Sequence, residues 1–165
     1  MAFRGGLGLI AVAAIAGLAA ACTGTPPTPC PGVSILGDAS EVTLFGQGRG
    51  QDLTDVAYRA SIERVAGSCD YTRAGDTVTS TVAARLVATR GPAAQANEET
   101  FVYFVAVVDK DQKILARERF DSTFTFQANQ RQAASIEEIE QIIPIRADLR
   151  GIDYEILIGF ELSPE

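Results

Sequence analysis

The stretch IPIRADLRGIDYEILIGF, residues 143–160, decides the fold class of this chain. Its last seven residues, 154–160, place tyrosine, isoleucine, isoleucine and phenylalanine at every second position. That is the side-chain period of a β-strand with one buried face. The preceding polar run, with Pro144 and Gly151, is typical of a connection between strands. The segment therefore predicts a loop that leads into a half-buried strand.

This loop and strand resemble the end of a fibronectin type III or immunoglobulin-like sandwich. In such domains a tyrosine near the start of the strand bonds through its hydroxyl to the backbone a few residues upstream. The resemblance implies this role, the structural tyrosine corner, for Tyr154. The sequence closes with Pro164 and Glu165 where such a domain would continue into one more strand. We therefore expect the N-terminal strands within 33–45 to take that edge.

Strand-like alternation of apolar and polar residues recurs along most of the chain. The predicted strands cover residues 33–36, 41–45, 54–71, 77–89, 101–108, 114–120 and a short piece at 124–126. Gly67 interrupts the third of them and predicts a bulge or a change of sheet. Residues 135–143 fit a helix as well as a strand, and we favour a strand because Pro144 follows. The predicted fold is an all-β, antiparallel β-sandwich over residues 33–165.

The N-terminal stretch has the pattern of an export signal. Arg4 is followed by an uncharged apolar run that ends in three alanines and Cys22. This resembles the lipobox of bacterial lipoproteins, although Leu18 lies one position further from the cysteine than usual. The resemblance implies that residues 1–21 are a signal peptide and that Cys22 is acylated. The alternatives are an ordinary secretory signal or a membrane span, and the short run, poor in large apolar residues, disfavours a span.

Residues 22–32 would then be the lipidated cysteine and a proline-rich tether that reaches only about 20 Å. Thr23 after the cysteine implies, by likeness to enterobacterial sorting, the outer membrane, with the domain facing the periplasm. Export also places the chain in an oxidising compartment, which predicts a disulfide between Cys30 and Cys69. Two buried free thiols or a redox pair are the alternatives.

Short segments along the whole chain are similar to a group of uncharacterised lipoproteins from alphaproteobacteria. These segments are CP at 30–31, GRG at 48–50, LTDV at 53–56, CDY at 69–71, GP at 91–92 and YFVAV at 103–107. The likeness implies a lipid-anchored protein of the cell envelope with the sandwich fold. It implies no activity.

Composition excludes several classes of function. Without the predicted signal peptide, the loss of Arg4 leaves 13 basic residues against 21 acidic ones, a net charge of −8. Such a balance argues against nucleic acid as a partner. The chain contains no histidine, so it lacks the commonest general base and the commonest neutral metal ligand. We expect no catalytic residues, no metal and no cofactor.

Two classes of function remain as hypotheses. The first is a lipid-anchored envelope protein whose sandwich is a non-catalytic, protein-binding or structural module. The alternative is a carboxylate-based hydrolase of envelope glycan, with Asp109 and Asp111 lying near Glu98 and Glu99. The same acids could be solvated turn residues, or could bind calcium, although no Asp-x-Asp-x-Asp-Gly loop occurs.

The strand at 101–108 is apolar on both faces, which predicts an extra contact. One face consists of Phe101, Tyr103, Val105 and Val107, and the other of Val102, Phe104, Ala106 and Val108. One of them packs in the core, and the other must be covered. The cover could be residues 127–141 of this chain, or an envelope protein partner that binds at Val102 and Phe104.

Overall fold

The computed structural model describes residues 28–48 and 50–162. The predicted signal peptide, Cys22 and most of the tether lie outside the described residues. The described part contains eight strands: β1 (Gly32–Ile35), β2 (Glu41–Phe45), β3 (Val56–Tyr71), β4 (Thr77–Arg90), β5 (Glu98–Asp109), β6 (Ile114–Thr125), β7 (Gln132–Pro144) and β8 (Tyr154–Phe160). No helix within these residues is long and apolar enough to cross a bilayer.

The strands form two four-stranded sheets that pack face to face. One sheet has the order β1-β8-β5-β6 and the other β2-β3-β4-β7. All pairs are antiparallel except β1 with β8, which run parallel. The predicted all-β sandwich is confirmed. β1 lies at the edge beside β8, where the sequence placed an N-terminal strand, and β2 takes the matching edge of the other sheet.

Alternation determines which side chains enter the core. In β4, Val78, Val82 and Leu86 are fully buried, whereas the threonines between them face outward. Phe101 of β5 contacts the rings of Phe124 and Phe160 edge-on, with centroids 5.8 and 6.0 Å apart. Edge-to-face contacts of this kind add to the stabilisation from burial. The core therefore combines an aromatic cluster around Phe101 with aliphatic side chains from both sheets.

The bulge predicted at Gly67 lies elsewhere in β3. The register against β4 shifts between Ile62 and Arg64, and Gly67 pairs regularly with Val82. A Cβ at Gly67 would lie 2.6 Å from Cγ2 of Val33. The glycine therefore makes room for β1 to pack against β3, and the prediction was wrong because packing, not backbone irregularity, requires it.

Two other strand predictions were tested. β6 runs unbroken to Thr125, so the separate short strand predicted at 124–126 is wrong. Phe124 and Phe126 are both buried because they continue the alternation of β6. The ambiguous segment 135–143 is a strand, as favoured, and it belongs to β7, where Ile139 pairs with Val82.

The disulfide between Cys30 and Cys69 is confirmed and fixes the start of β1 to β3. Their Cα atoms lie 5.7 Å apart. The hydroxyl of Tyr71 donates a hydrogen bond of 2.7 Å to the carbonyl of Pro29. Tyr154 follows the loop that connects β7 to β8 and is buried. Its hydroxyl accepts a 3.0 Å hydrogen bond from the N–H of Arg146 in that loop. This is the kind of contact expected of a tyrosine corner.

Candidate functional site

The acids considered for a hydrolase do not come together. Glu98 and Asp109 are the first and last residues of β5, so they lie about 36 Å apart along the strand. Asp109 is buried, and its Oδ1 accepts the N–H groups of Asp111 at 2.9 Å and Lys113 at 3.1 Å. Asp109 therefore stabilises the turn between β5 and β6, and it lies too far from Glu98 for the two to act as a carboxylate pair.

The outer face of β5 is covered largely from within the chain. Phe104 is buried, with the guanidinium of Arg117 4.3 Å from its ring centroid and Ala39 packed against it. Val102 stays partly exposed. The prediction that residues 127–141 form this cover is wrong, because most of them belong to β7 in the opposite sheet. The predicted partner site at Val102 and Phe104 is thus mostly occupied by the turn between β1 and β2 and by Arg117.

The open side of the sandwich is formed by β6 and β7. Among the described strands, each of them has a hydrogen-bonded neighbour on one side only. Polar side chains join the two across the gap between the sheets. Oε1 of Glu137 accepts hydrogen bonds from Ser122 on β6 at 2.6 Å and from Ser135 at 2.5 Å. Nε2 of Gln141 lies 3.4 Å from Oε2 of Glu118.

Glu137 also affects the chemistry of the adjacent core. Burial raises the pKa of Tyr103 to about 12, and the nearby carboxylate of Glu137 contributes to the rise. A charged tyrosine would be both desolvated and close to a like charge. Tyr103 therefore stays neutral at physiological pH, and the polar contacts around Glu137 hold the edge together.

An apolar cleft of about 290 Å³ opens between the start of β6 and the end of β7. It is lined by Val107, Leu115, Ala116, Ile142, Ile143, Pro144, Arg146 and Tyr154. Leu115 has no partner in the register of β5 with β6, because a bulge lies there. A bulge turns a side chain out of the regular pleat. The volume of the cleft is at the lower limit of small-molecule sites.

Exposed apolar side chains lie at two positions on β7, one beside the cleft and one further along the strand. Ile142 and Ile136 are each 67% exposed, and Leu115 is 43% exposed. Ile136 and Ile142 pair with Arg85 and Thr79 on the outer face of the sheet. Between them, the same face of β7 carries Glu138 and Glu140. The edge therefore presents an apolar, acidic, acidic, apolar row to solvent.

The cleft lies at the end of the sandwich where the tether joins. Cys69 and Gln141 both pair with Ser80, from opposite sides. Neighbouring strands are about 4.8 Å apart, so Cys69 and Gln141 are separated by about 10 Å. A partner bound at the cleft would therefore lie close to the N-terminal tether.

This edge was not found by sequence reasoning, although one signal was present. Once Ile139 and Ile143 are placed inward, Ile136 and Ile142 occupy positions that a regular strand gives to polar residues. Glu137 and Gln141 occupy inward positions instead. β7 therefore differs from a regular edge strand, because two polar residues face inward and two isoleucines face outward.

Comparison with known proteins finds no matching family model, no matching curated protein and no matching solved structure. Within residues 28–48 and 50–162, no three Cys, Asp or Glu side chains are grouped so that they could hold a metal ion.

Proposed function

We propose that this chain is a lipid-anchored, non-catalytic module of the bacterial cell envelope that binds another envelope protein at the edge formed by β6 and β7. The anchor would be the acylated Cys22, and the domain would face the periplasm from the outer membrane. The observation that carries the proposal is the apolar cleft with the exposed Ile142 beside it. Apolar side chains that line a cleft and lie exposed at its rim support a protein-binding site at this edge.

The position of the edge supports a partner at the membrane. The tether is short, and Cys69 of its disulfide lies about 10 Å from Gln141 near the cleft. The partner would therefore be a membrane-associated or membrane-proximal envelope protein. The apolar cleft would receive one apolar side chain of that partner, in the way that a buried anchor dominates many interfaces.

The proposal is tested with two matched substitutions of exposed apolar residues. Ile142→Asp places a charge at the mouth of the cleft. Leu53→Asp does the same at the opposite end of the sandwich, where Leu53 is 81% exposed. Both side chains are mostly in solvent, so both variants should keep the thermal transition of the parent. Each is expressed in its native host and purified from gently solubilised membranes.

A specific partner should co-purify with the parent and with Leu53→Asp, and should be lost from Ile142→Asp. Retention of the same partner by Ile142→Asp would exclude the cleft as the binding site. Absence of any partner from the parent under conditions that preserve other envelope complexes would count against a binding module.

A further inference from the structure

We infer that the free edge of β7 binds an extended segment of its partner by strand addition, and that this segment carries the pattern apolar-x-basic-x-basic-x-apolar. The inference rests on the proposed function and specifies its partner. It names the backbone edge, the side chains and the charge that would recognise the segment.

The backbone of β7 is suited to accept another strand. β7 is 13 residues long, and among the described strands it pairs only with β4. An unpaired edge offers alternate N–H and C=O groups to an incoming strand, which is the basis of β-strand addition. Both free edges carry charges, but those of β6 at Arg117, Glu118 and Arg119 are of mixed sign. The solvent-facing charges of β7, Glu138 and Glu140, share one sign and would attract a basic strand.

The side chains of β7 determine which segment fits. A residue directly opposite another on a neighbouring strand lies on the same face and within contact distance. Apolar residues would therefore lie opposite Ile136 and Ile142, and basic residues opposite Glu138 and Glu140. The pattern reads the same in both chain directions, so it holds for parallel and antiparallel addition.

The apolar cleft strengthens recognition at one end of the segment. The partner residue opposite Ile142 would lie on the outer face of the sheet, next to the rim of the cleft that Ile142 and Pro144 form. An apolar side chain there would cover part of Ile142, and the basic residues would lie opposite Glu138 and Glu140. Affinity would come from the anchor and the backbone, and selectivity from the charges.

A second copy of this chain fits the edge less well. The antiparallel register that sets Ile136 opposite Ile142 also sets Glu138 opposite Glu140. Like charges directly opposite each other destabilise a strand pair. The net charge of −7 on the whole chain adds repulsion between copies. Charge complementarity therefore favours a basic partner over self-association.

Synthetic peptides test the inference on the full chain, purified in detergent. Each peptide matches the 13 residues of β7 and consists of threonine except at four alternate positions. The first carries isoleucine, lysine, lysine and isoleucine there. The second has glutamate in place of lysine, and the third has threonine. Two further forms of the lysine peptide are N-methylated on the odd or on the even backbone nitrogens.

Fluorescence anisotropy should show the lysine peptide binding roughly two- to thirtyfold more tightly than the threonine peptide, with the glutamate peptide weakest. Only one N-methylated form should bind, because alternate N–H groups of a strand point to the same edge. Hydrogen exchange should slow in β7 and not in β6. In the double variant Glu138→Lys/Glu140→Lys, the preference should change to the glutamate peptide.

Equal binding of the lysine and glutamate peptides, or equal binding of both N-methylated forms, would overturn strand addition at β7. Peptide binding that leaves hydrogen exchange in β7 unchanged would also overturn it. The same holds if the protein binds vesicles of anionic lipid and none of the peptides. If the peptides fail while Ile142→Asp still releases a co-purifying protein, the proposed function stands and this inference fails. If Ile142→Asp releases nothing, the proposed function itself fails.

Discussion

Glu137 is the residue at which the sequence pattern and the structure differ most. A glutamate next to Glu138 and close to Glu140 is expected to face solvent. Glu137 instead pairs with buried Ala84 on the inner side of the sheet. Two serine hydroxyls satisfy the carboxylate. No local pattern could have predicted this, because Ser122 reaches Glu137 from the other sheet.

Ionisation of Tyr103 reports on this cluster. Its pKa of about 12 exceeds the ordinary value of 10.0, so folding favours the neutral phenol. Ionisation of Tyr103 should therefore not change the free energy of unfolding with pH below pH 10, and should lower it as the pH rises from 10 to 12. The difference in tyrosinate absorbance between the parent and Tyr103→Phe, recorded after a rapid pH jump, should give a midpoint near 12.

Glu137→Gln should lower that midpoint, because it removes the like charge and leaves the burial. A midpoint near 10 in the parent, or one that Glu137→Gln leaves unchanged, would show that the carboxylate does not act on Tyr103.

Gly67 tests how closely β1 packs on β3. Gly67→Ala should lower the free energy of unfolding by about 1–3 kcal/mol, because the new Cβ would overlap Val33. Gly37→Ala is the matched control, since a Cβ at Gly37 meets no atom within 4 Å. Urea denaturation of both variants measures the difference. Equal effects of the two substitutions would mean that Val33 moves aside at little cost.

At the scale of elements, the sequence predicts the strands well and their neighbours poorly. Period-two alternation located β4 and both faces of β5, because the apolar positions of a strand indicate which of its faces are buried. What covers the outer face of β5 was not predictable from that strand. The cover comes from Ala39 and Arg117, which belong to a turn and to a neighbouring strand. The edge strands of each sheet could not be predicted for the same reason, since the sequence of a strand does not show on which side it lacks a hydrogen-bonded neighbour.

The disulfide is predicted to hold the shortest edge element in place. β1 has only four residues, and Cys30 and Cys69 are 39 positions apart. Replacing both cysteines by alanine should lower the free energy of unfolding by about 4 kcal/mol in the chain-entropy model. Hydrogen exchange should accelerate first in β1 and β8, which pair with each other.

Reduction of the parent under native conditions is the control and should reproduce both effects. Unchanged stability and exchange in the double alanine variant would show that strand pairing alone secures β1.

At the scale of the whole molecule, the proposed anchor and the binding edge form one arrangement. The tether predicted from the sequence joins the sandwich through Cys30 and Cys69, and the apolar cleft lies at that same end. Such an arrangement would hold the edge close to the membrane and orient it toward partners there. Two chains on one residue already suffice for stable attachment, so a lipidated Cys22 would keep the domain in place.

Lipid attachment at Cys22 is tested by Cys22→Ala. The variant should lose lipoprotein-type processing and appear in the fraction that is released without detergent, while its thermal transition stays that of the parent. Mass spectrometry of the N-terminal peptide identifies the acyl chains in the parent. Tight membrane association of Cys22→Ala with cleavage at the parental site would contradict the lipoprotein interpretation.

Photo-crosslinking in intact cells tests the central claim most directly. A photo-activatable residue is placed at position 142 beside the cleft, or at position 53 at the far end of the sandwich. Binding through the edge of β7 predicts one discrete adduct with a membrane-associated envelope protein from position 142, none from position 53, and its loss in Glu138→Lys/Glu140→Lys. No adduct from position 142, or equal adducts from both positions, would contradict the account.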